Sequence, residues 1–555
     1  MTGHQNYKTP LEMFYQWEKA MPHNPLFRWP QDGSWHELNW KEAGDQVRRV
    51  AQAIKSLNLP KGSHIGILSK NCPYWIMADY AIWLAGHVSV PLYPNLQAET
   101  INTILTHSQT KVLFVGKLDG WEDMKPGIPE DVTCFSFPYD DKGYVDWKDL
   151  LAQNEPLMEN PVPNQEDIAT IIYTSGTTGV PKGVVHNFLS FSCAGTNGVK
   201  IAKLTQEDRF FSYLPLSHVA ERLLVETAAL YCGGIINFAE SLDTFVENLQ
   251  TAKPTVFLSV PRLWTKFQMG VLKKLPQKKL EKLLRIPIIR GLIKKKILKG
   301  LGLEKVRIAA TGAAPISLPL LKWWESLGLT LLEGYGMTEN FAYSHLNLPG
   351  QEKFGYVGQA MPRVDVRLSD EGEIQIKNDC LMNGYYKEPE LTAETFTDGY
   401  LRTGDQGSID ENGYLKITGR VKDLFKTGKG KYVVPSPIEL KISKSQLIEQ
   451  VCVTGNGLPQ PIALINLSED GKKMPQEEVE KSLNGLLTDI NKTIDKHEQP
   501  EKLIVLKEDW TVENNVLTPT MKIKRNVVEK AYQEKYESWY ESSSKVVWSE
   551  SSYLN

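Results

Sequence analysis

Strand-like apolar runs alternate with helical periods over most of this chain, and that alternation limits its fold more than any other feature. "GSHIGILS" and "TKVLFVG" read as buried strands. Between Trp40 and Leu57, "WKEAGDQVRRVAQAIKSL" spaces its apolar residues at three and four, the period of a helix with one buried face. "EDIATIIYTSG" is a further buried strand. Strands separated by helices are joined by crossovers, so the pattern predicts an α/β architecture with largely parallel sheets. At 555 residues the chain exceeds one simple core, and roughly three to four domain-sized units is the expectation from length.

From about Gly355 the texture changes. "DVRLSDEGEIQIKN" and "GSIDENGYLKITGR" read as short strands joined by turns, with Glu371-Gly372 and Asn412-Gly413 as turn residues. "GRVKDLFKTGKGKYVVP" follows, polar and glycine-rich, and reads as a hinge. The expected division is a large N-terminal domain, 1–419, of parallel and mixed sheets with helices and a β-rich subdomain. A small α+β C-terminal domain, 420–555, follows it.

The formal net charge of -3 argues against a general nucleic-acid binder. The first residues, "MTGHQNYKTPLEMFYQWEKA", have no apolar core behind basic residues, and no run approaches the roughly 18 apolar residues of a membrane span. A cytoplasmic protein is expected. Six cysteines stand singly and form no Cys-x-x-Cys pair, so buried, reduced thiols are expected and a built-in zinc site is not. One segment is strongly basic: "KKLPQKKLEKLLRIPIIRGLIKKKILKG", residues 273–300. It reads either as solvated helices or as a surface that meets anionic lipid or an acyl chain, at the inner face of a membrane. Pro276 and Pro287 prevent one continuous helix.

The chemistry concentrates in "IIYTSGTTGVPKGVVH", residues 171–186. Thr174, Ser175, Thr177 and Thr178 offer hydroxyls, and Gly176 and Gly179 let successive N–H groups face one anion. Lys182 adds a positive charge, and Asn187 is placed to cap a following helix whose positive end would strengthen the field. The loop suits a polyphosphate, but it lacks the Gly-Lys-Ser/Thr of P-loop ATPases.

This stretch resembles the signature loop of the acyl-adenylate-forming enzymes, which include acyl-CoA synthetases, luciferases and peptide-synthetase adenylation domains. "TGAAPI", "EGYGMTE", "YLRTGD", "GRVKD" and "TPTMKIKR" follow in that family's order, and the resemblance runs from about Pro10 to Val527. It implies an adenine site at Gly312, Ala313 and Ala314, with Tyr335 as a ring for the base to stack on and Gly336 beside it. Thr338 falls near the α-phosphate, and Glu339 matches the magnesium ligand. Asp405 and Arg420 match the ribose contacts. Lys522 matches the lysine that bridges the substrate carboxylate and the α-phosphate, with Arg525 three positions on. The implied reaction joins a carboxylate to AMP from Mg-ATP, then passes the acyl group to coenzyme A. Lys422 matches the hinge about which the small domain rotates between the two steps. The loop carrying Lys426, Gly428, Lys429 and Lys431 would then replace Lys522 and meet coenzyme A phosphates.

"LPLSHVAER" and "GKYVVPSPIE" look most like the long-chain fatty acyl-CoA synthetase branch, although "GKGK" stands where the commoner form has "GGEN". Trp264 resembles a gate over an acyl tunnel and is equally readable as a core aromatic. His218 reads as a neighbour of the acyl carbonyl or the thiol, or as structural; His186 reads as structural. Transfer to a carrier protein, or β-lactone formation, remains open as the fate of the acyl-adenylate. Chain length and oligomeric state have no local signal.

Overall fold

Asn39 opens the helix Trp40–Ser56 in the computed structural model, which describes residues 7–175, 181–518 and 520–549. Its side-chain oxygen accepts from Glu42 N–H at 2.9 Å, and the Glu42 carboxylate accepts from Asn39 N–H at 3.0 Å. This reciprocal cap pairs two N–H groups that a helix start would leave unpaired. The face carrying Val47, Val50, Ala51 and Ile54 is fully buried, as the apolar period predicts. It packs on the helix Pro73–Leu84, where every residue except Tyr74 is buried. A helix apolar on all sides must be covered on all sides.

Among the described residues, the largest sheet has eight strands. Its parallel body is His64–Leu68 flanked by Val88–Leu92 and Val112–Val115, with Thr133–Ser136 and Val145–Asp146 beyond. Ile168–Ser175 joins Val88–Leu92 in parallel, and Pro181–Asn187 folds back on it antiparallel. Gly384–Tyr385, from some two hundred residues downstream by the numbering, adds the edge strand beside Pro181–Asn187. A second sheet sets Val256–Ser259, Ile308–Thr311 and Leu331–Tyr335 in parallel, then two short antiparallel strands. The expected change of texture after Gly355 is an antiparallel sheet built on Glu373–Lys377, Tyr400–Ile409 and Leu415–Arg420. Gly372 and Gly413 supply its turns with φ of +75° and +79°, conformations that a Cβ disfavours.

The C-terminal sheet orders Ile448–Thr454, Ile462–Leu467, Lys502–Val505 and Val546–Trp548. Its side chains alternate between two cores. Val451, Val453, Ala463, Ile465, Leu503 and Val505 meet the helices Pro435–Ile442 and Gln476–Asn491. Cys452, Ile462, Leu464 and Ile504 meet Trp510, Val528, Tyr532 and Trp539 on the opposite side. Strands covered on both faces read as unbroken apolar runs, and "PIALINL" and "KLIVL" do. The fold is therefore mixed α/β, with a large N-terminal part and a smaller C-terminal one. All six cysteines are free, and among the described residues no helix is long and apolar enough to cross a membrane.

One local expectation is corrected. Asn187 does cap a helix, Phe188–Ala202, its side chain accepting from Ser190 N–H at 3.2 Å. But the seven-residue strand Pro181–Asn187 lies between that helix and the phosphate-type loop. The positive helix end is therefore roughly 20 Å along the strand from Pro181, too far to add to the field there.

Candidate active site

The parallel strands Ile308–Thr311 and Leu331–Tyr335 end side by side, so Gly312, Ala313 and Ala314 leave the sheet next to Gly336 and the turn Thr338–Asn340. The carboxyl ends of parallel strands are where α/β sheets bind ligands. At Gly336 the chain passes so close to Ala342 that a Cβ would stand 2.5 Å from backbone atoms. Ala313 takes φ +62°, and Ala313 and Ala314 are exposed on the rim.

Asp405 joins this strand end to the antiparallel sheet. Tyr335 Oη donates to Asp405 Oδ2 at 2.7 Å, and Arg420 Nε donates to Oδ1 at 3.0 Å. Asp405 and Arg420 face each other in register across their two strands, so sheet pairing itself makes the ion pair. Both carboxylate oxygens thus already hold a protein donor, and each keeps further lone-pair capacity.

Glu339 is tied to the opposite side of the site. Tyr385 Oη donates to its Oε1 at 2.8 Å, and Met382 N–H donates to its carbonyl at 2.8 Å. Tyr385 sits on the edge strand beside Pro181–Asn187, and the Lys182 ammonium stands 5.8 Å from the centre of its ring. Lys182 is the register partner of Thr174. Tyr385 therefore connects the lysine of the phosphate-type hairpin with the carboxylate of "MTE". Ser175 ends the strand before the loop, whereas Gly176, Thr177, Thr178 and Gly179 lie outside the described residues. Behind Thr338, His186 Nε2 stands 2.7 Å from the Thr338 carbonyl and Nδ1 3.1 Å from Ser190 Oγ. A carbonyl only accepts, so Nε2 carries the proton and donates, and Nδ1 accepts from the serine. Burial pushes this imidazole down to about 4, so it is neutral and holds the Thr338 turn in place.

Lys522 arrives from the C-terminal part on a tight turn, its N–H donating to Thr518 Oγ1 at 3.0 Å and its carbonyl accepting from Thr518 N–H at 2.8 Å. Water reaches the residue, yet protein surrounds it at longer range. That surrounding protein lowers the ammonium below its usual range. Arg420 acts in the same direction, while Asp405 and Glu339 oppose it. Lys522, Arg420, Asp405 and Glu339 therefore share one electrostatic neighbourhood. Arg525 fastens the turn by donating to Glu439 Oε1 at 2.6 Å and to the Val453 carbonyl at 2.5 Å. Further contacts across the two parts are an ion pair between Arg262 and Glu449 and a hydrogen bond from Gln97 Nε2 to the Glu513 carbonyl at 3.4 Å.

His218 belongs to the same electrostatic neighbourhood. Its Nδ1 accepts from Ala220 N–H at 3.2 Å. Burial first, and the Lys522 charge second, push it down to about 4. The ring is neutral with its proton on Nε2. The segment behind it is anchored by buried ionisable side chains, and burial pushes the Glu221 carboxyl up to about 8. Arg222 is paired with Asp79 and, at 3.1 Å, with Glu226, all three shut off from water. Glu221 accepts from Tyr213 N–H at 3.0 Å.

Trp264 lies apart from these groups. It is fully buried among Phe257, Phe267 and Trp324, and its indole N–H has no partner among the described residues. Lys422, Lys426, Gly428, Lys429 and Lys431 are exposed. Their loop is fixed to the C-terminal part, with Gly428 N–H donating to the Leu458 carbonyl at 2.7 Å. These lysines are not among the charges acting on Lys522.

Sequence reasoning missed Tyr385 and the Asp79–Arg222–Glu226 triad. "NGYYKEPE" gives no hint of a partner 46 residues earlier in the chain. Asp79 did leave a trace, as the lone acid in "PYWIMADYAIWL". Glu339, one carboxylate held by a neutral donor, fits Mg2+, which favours one or two protein carboxylates completed by phosphate oxygens and water.

The sequence matches a family model described as AMP-binding enzyme over residues 14–386 and one described as AMP-binding enzyme C-terminal domain over residues 422–544. It is 32% identical to a long-chain-fatty-acid–CoA ligase 5 from Rattus norvegicus, over 96% of this chain and 89% of that protein. It is 28% identical to a long-chain-fatty-acid–CoA ligase from Mycobacterium bovis, over 95% of this chain and 96% of that protein. The adenylation domain of a carboxylate reductase from Mycobacterium chelonae has a similar fold, with a TM-score of 0.82 at 23% identity over 96% of this chain and 91% of that one.

Proposed function

The chain belongs to the AMP-binding enzyme family, and on that premise we propose that it activates a fatty acid, of medium to long chain, to acyl-AMP and transfers the acyl group to coenzyme A. The observation that carries the reading is that Arg420, Asp405 and Glu339 all act electrostatically on Lys522, with Arg420 and Asp405 paired at 3.0 Å. Sheet pairing brings Asp405 and Arg420 together, whereas Glu339 and Lys522 come from separate stretches of the chain. The choice of a fatty acid is supported by the relatives named above.

In the first step a carboxylate oxygen attacks the α-phosphorus of ATP; an O–P bond forms and the bond to pyrophosphate breaks. No general base is needed, because a carboxylic acid is already ionised at neutral pH. The obstacle is repulsion between two anions, and the Lys522 ammonium offsets it where the charges meet. Asp405 and Arg420 hold the ribose, Tyr335 and residues 312–314 the adenine, and Thr338 the α-phosphate. The hairpin carrying Thr174, Ser175 and Lys182 receives the outer phosphates. Glu339 would hold Mg2+, which supplies charge neutralisation at the pyrophosphate; Tyr385 keeps that carboxylate oriented. In the second step the coenzyme A sulfur attacks the acyl carbon, a C–S bond replaces the C–O bond to AMP, and the thiol proton passes to solvent. The two steps need different groups at one place. The exposed loop with Lys426, Lys429 and Lys431 would take the place of Lys522 after the small domain, 420–555, turns about Lys422.

The proposed setting is cytoplasmic. A screen for pyrophosphate release over carboxylic acids of graded length, with and without coenzyme A, tests the reading. Release with fatty acids, and thioester only with coenzyme A, is expected. Absence of AMP with every acid overturns it, and acyl-AMP that persists beside coenzyme A moves the reading to another acceptor.

A further inference from the structure

The basic segment holds none of the residues placed in that reaction, and the fold sharpens what it presents. Between Glu281 and Glu304 the chain carries Lys282, Arg285, Arg290, Lys294, Lys295, Lys296 and Lys299 and not one acid, although the whole chain is net negative. The segment forms two helices, Gln277–Leu284 and Pro287–Gly300. The inner face of the second, with Ile293, Ile297 and Leu298, packs on the core cluster that holds Trp264. Its outer face is covered by nothing among the described residues: Ile288 is 83% exposed and Leu292 67%, with Ile286 beside them at 44%. Residues 288, 292, 295 and 299 stand on one stripe at helical spacing. The stripe is therefore apolar in its first half and lysine in its second. A solvated helix face needs the lysines but not the isoleucine and leucine.

We propose that the helix Pro287–Gly300 docks on an anionic lipid bilayer, with Ile286, Ile288 and Leu292 entering the headgroup boundary and Lys295, Lys296 and Lys299 meeting lipid phosphates. Charge selects this occupant. A second copy would set seven cations against seven, and a neutral partner would leave them uncompensated. A bilayer with acidic headgroups takes both the apolar half and the basic half of one stripe. The proposal is independent of the catalytic reading.

The test is co-sedimentation of the full chain with vesicles of phosphatidylglycerol and phosphatidylcholine, against vesicles of phosphatidylcholine alone. Binding to the anionic vesicles that weakens with salt is expected. The triple variant Lys295→Gln, Lys296→Gln, Lys299→Gln should lose roughly 100-fold in that binding, at about fivefold per lysine. Ile288→Ser with Leu292→Ser should lose binding at unchanged charge. Pyrophosphate release and thermal unfolding of both variants should match the parent, since these side chains are in water. Equal binding to both vesicle types, no binding to either, or variants that bind like the parent overturn the proposal. A lipid-free dimer in sedimentation velocity that Ile288→Ser with Leu292→Ser abolishes overturns it in favour of a second copy.

Discussion

Lys522 carries its charge in a place that discourages charge, and that sets its behaviour with pH. Its ammonium lies below the usual lysine range, through the surrounding protein first and Arg420 second. The group is charged below its pKa, so adenylation should fall as pH rises, at a pH lower than that of a free lysine, near 10.4. Lys522→Ala should slow acyl-AMP formation about 100- to 1,000-fold, the cost of removing one preorganised donor to developing charge. Thioester formation from supplied acyl-AMP should stay within a few-fold; single-turnover assays of each half-reaction separate the two, and equal losses would refute the role. Tyr385 acts through Glu339. Tyr385→Phe removes the 2.8 Å hydrogen bond and little volume, so Mg2+ should bind about 10- to 100-fold more weakly, as for other partners of metal ligands. Mn2+ titration followed by electron paramagnetic resonance on the nucleotide complex reads this directly. His186 gives a stability signature. Its folded pKa of about 4 lies below the unfolded value of 6.5, so the folded state binds fewer protons between those limits. Its contribution is complete above pH 6.5 and is lost as pH falls to 4, about 3 kcal/mol in all. Urea unfolding across that window should show a shallower slope in His186→Gln.

At the scale of elements, the site is made where strands end. Two parallel strands deliver the Gly312 and Thr338 turns to one edge, and register across an antiparallel pair sets Arg420 opposite Asp405. The helix Pro261–Lys274 works differently, because its Trp264 is locked in an aromatic cluster. Trp264→Ala should cost roughly 3–5 kcal/mol of stability, as expected for truncating a buried tryptophan. In the proposed reading it should also alter fatty-acid chain preference; a destabilised enzyme with unchanged preference assigns the residue to packing alone. The strand Pro181–Asn187 is what sets the helix after Asn187 apart from the loop. "GVVH" offers too few apolar residues to announce a strand, so the distance it introduces between loop and helix had no sequence signal.

For the whole molecule, contacts between the two parts set how firmly Lys522 is held near Asp405 and Glu339. The Arg262–Glu449 pair crosses the two parts, but its side chains are 44% and 36% exposed. Exposed pairs contribute at most about 1 kcal/mol. Arg262→Glu should therefore change the rate of pyrophosphate release by less than about fivefold, and less still at high salt. A larger effect would mean that this contact holds the arrangement. A contact this weak would not resist the turn of the small domain that the proposed two-step reaction requires.

The amino-acid sequence alone determined what is local. Apolar periods set the strands and helices, Gly372 and Gly413 set turns, and the ordered motifs marked Thr338, Glu339, Asp405 and Lys522. Each signal sits within a few residues of what it specifies. Tertiary structure alone decided which of those groups meet. Tyr385 reaches Glu339 because a late strand joins an early sheet, and Asp79 finds Arg222 because two distant helical segments bury their charges against each other. Such pairings depend on how separate surfaces fit, and no stretch of sequence carries that information by itself.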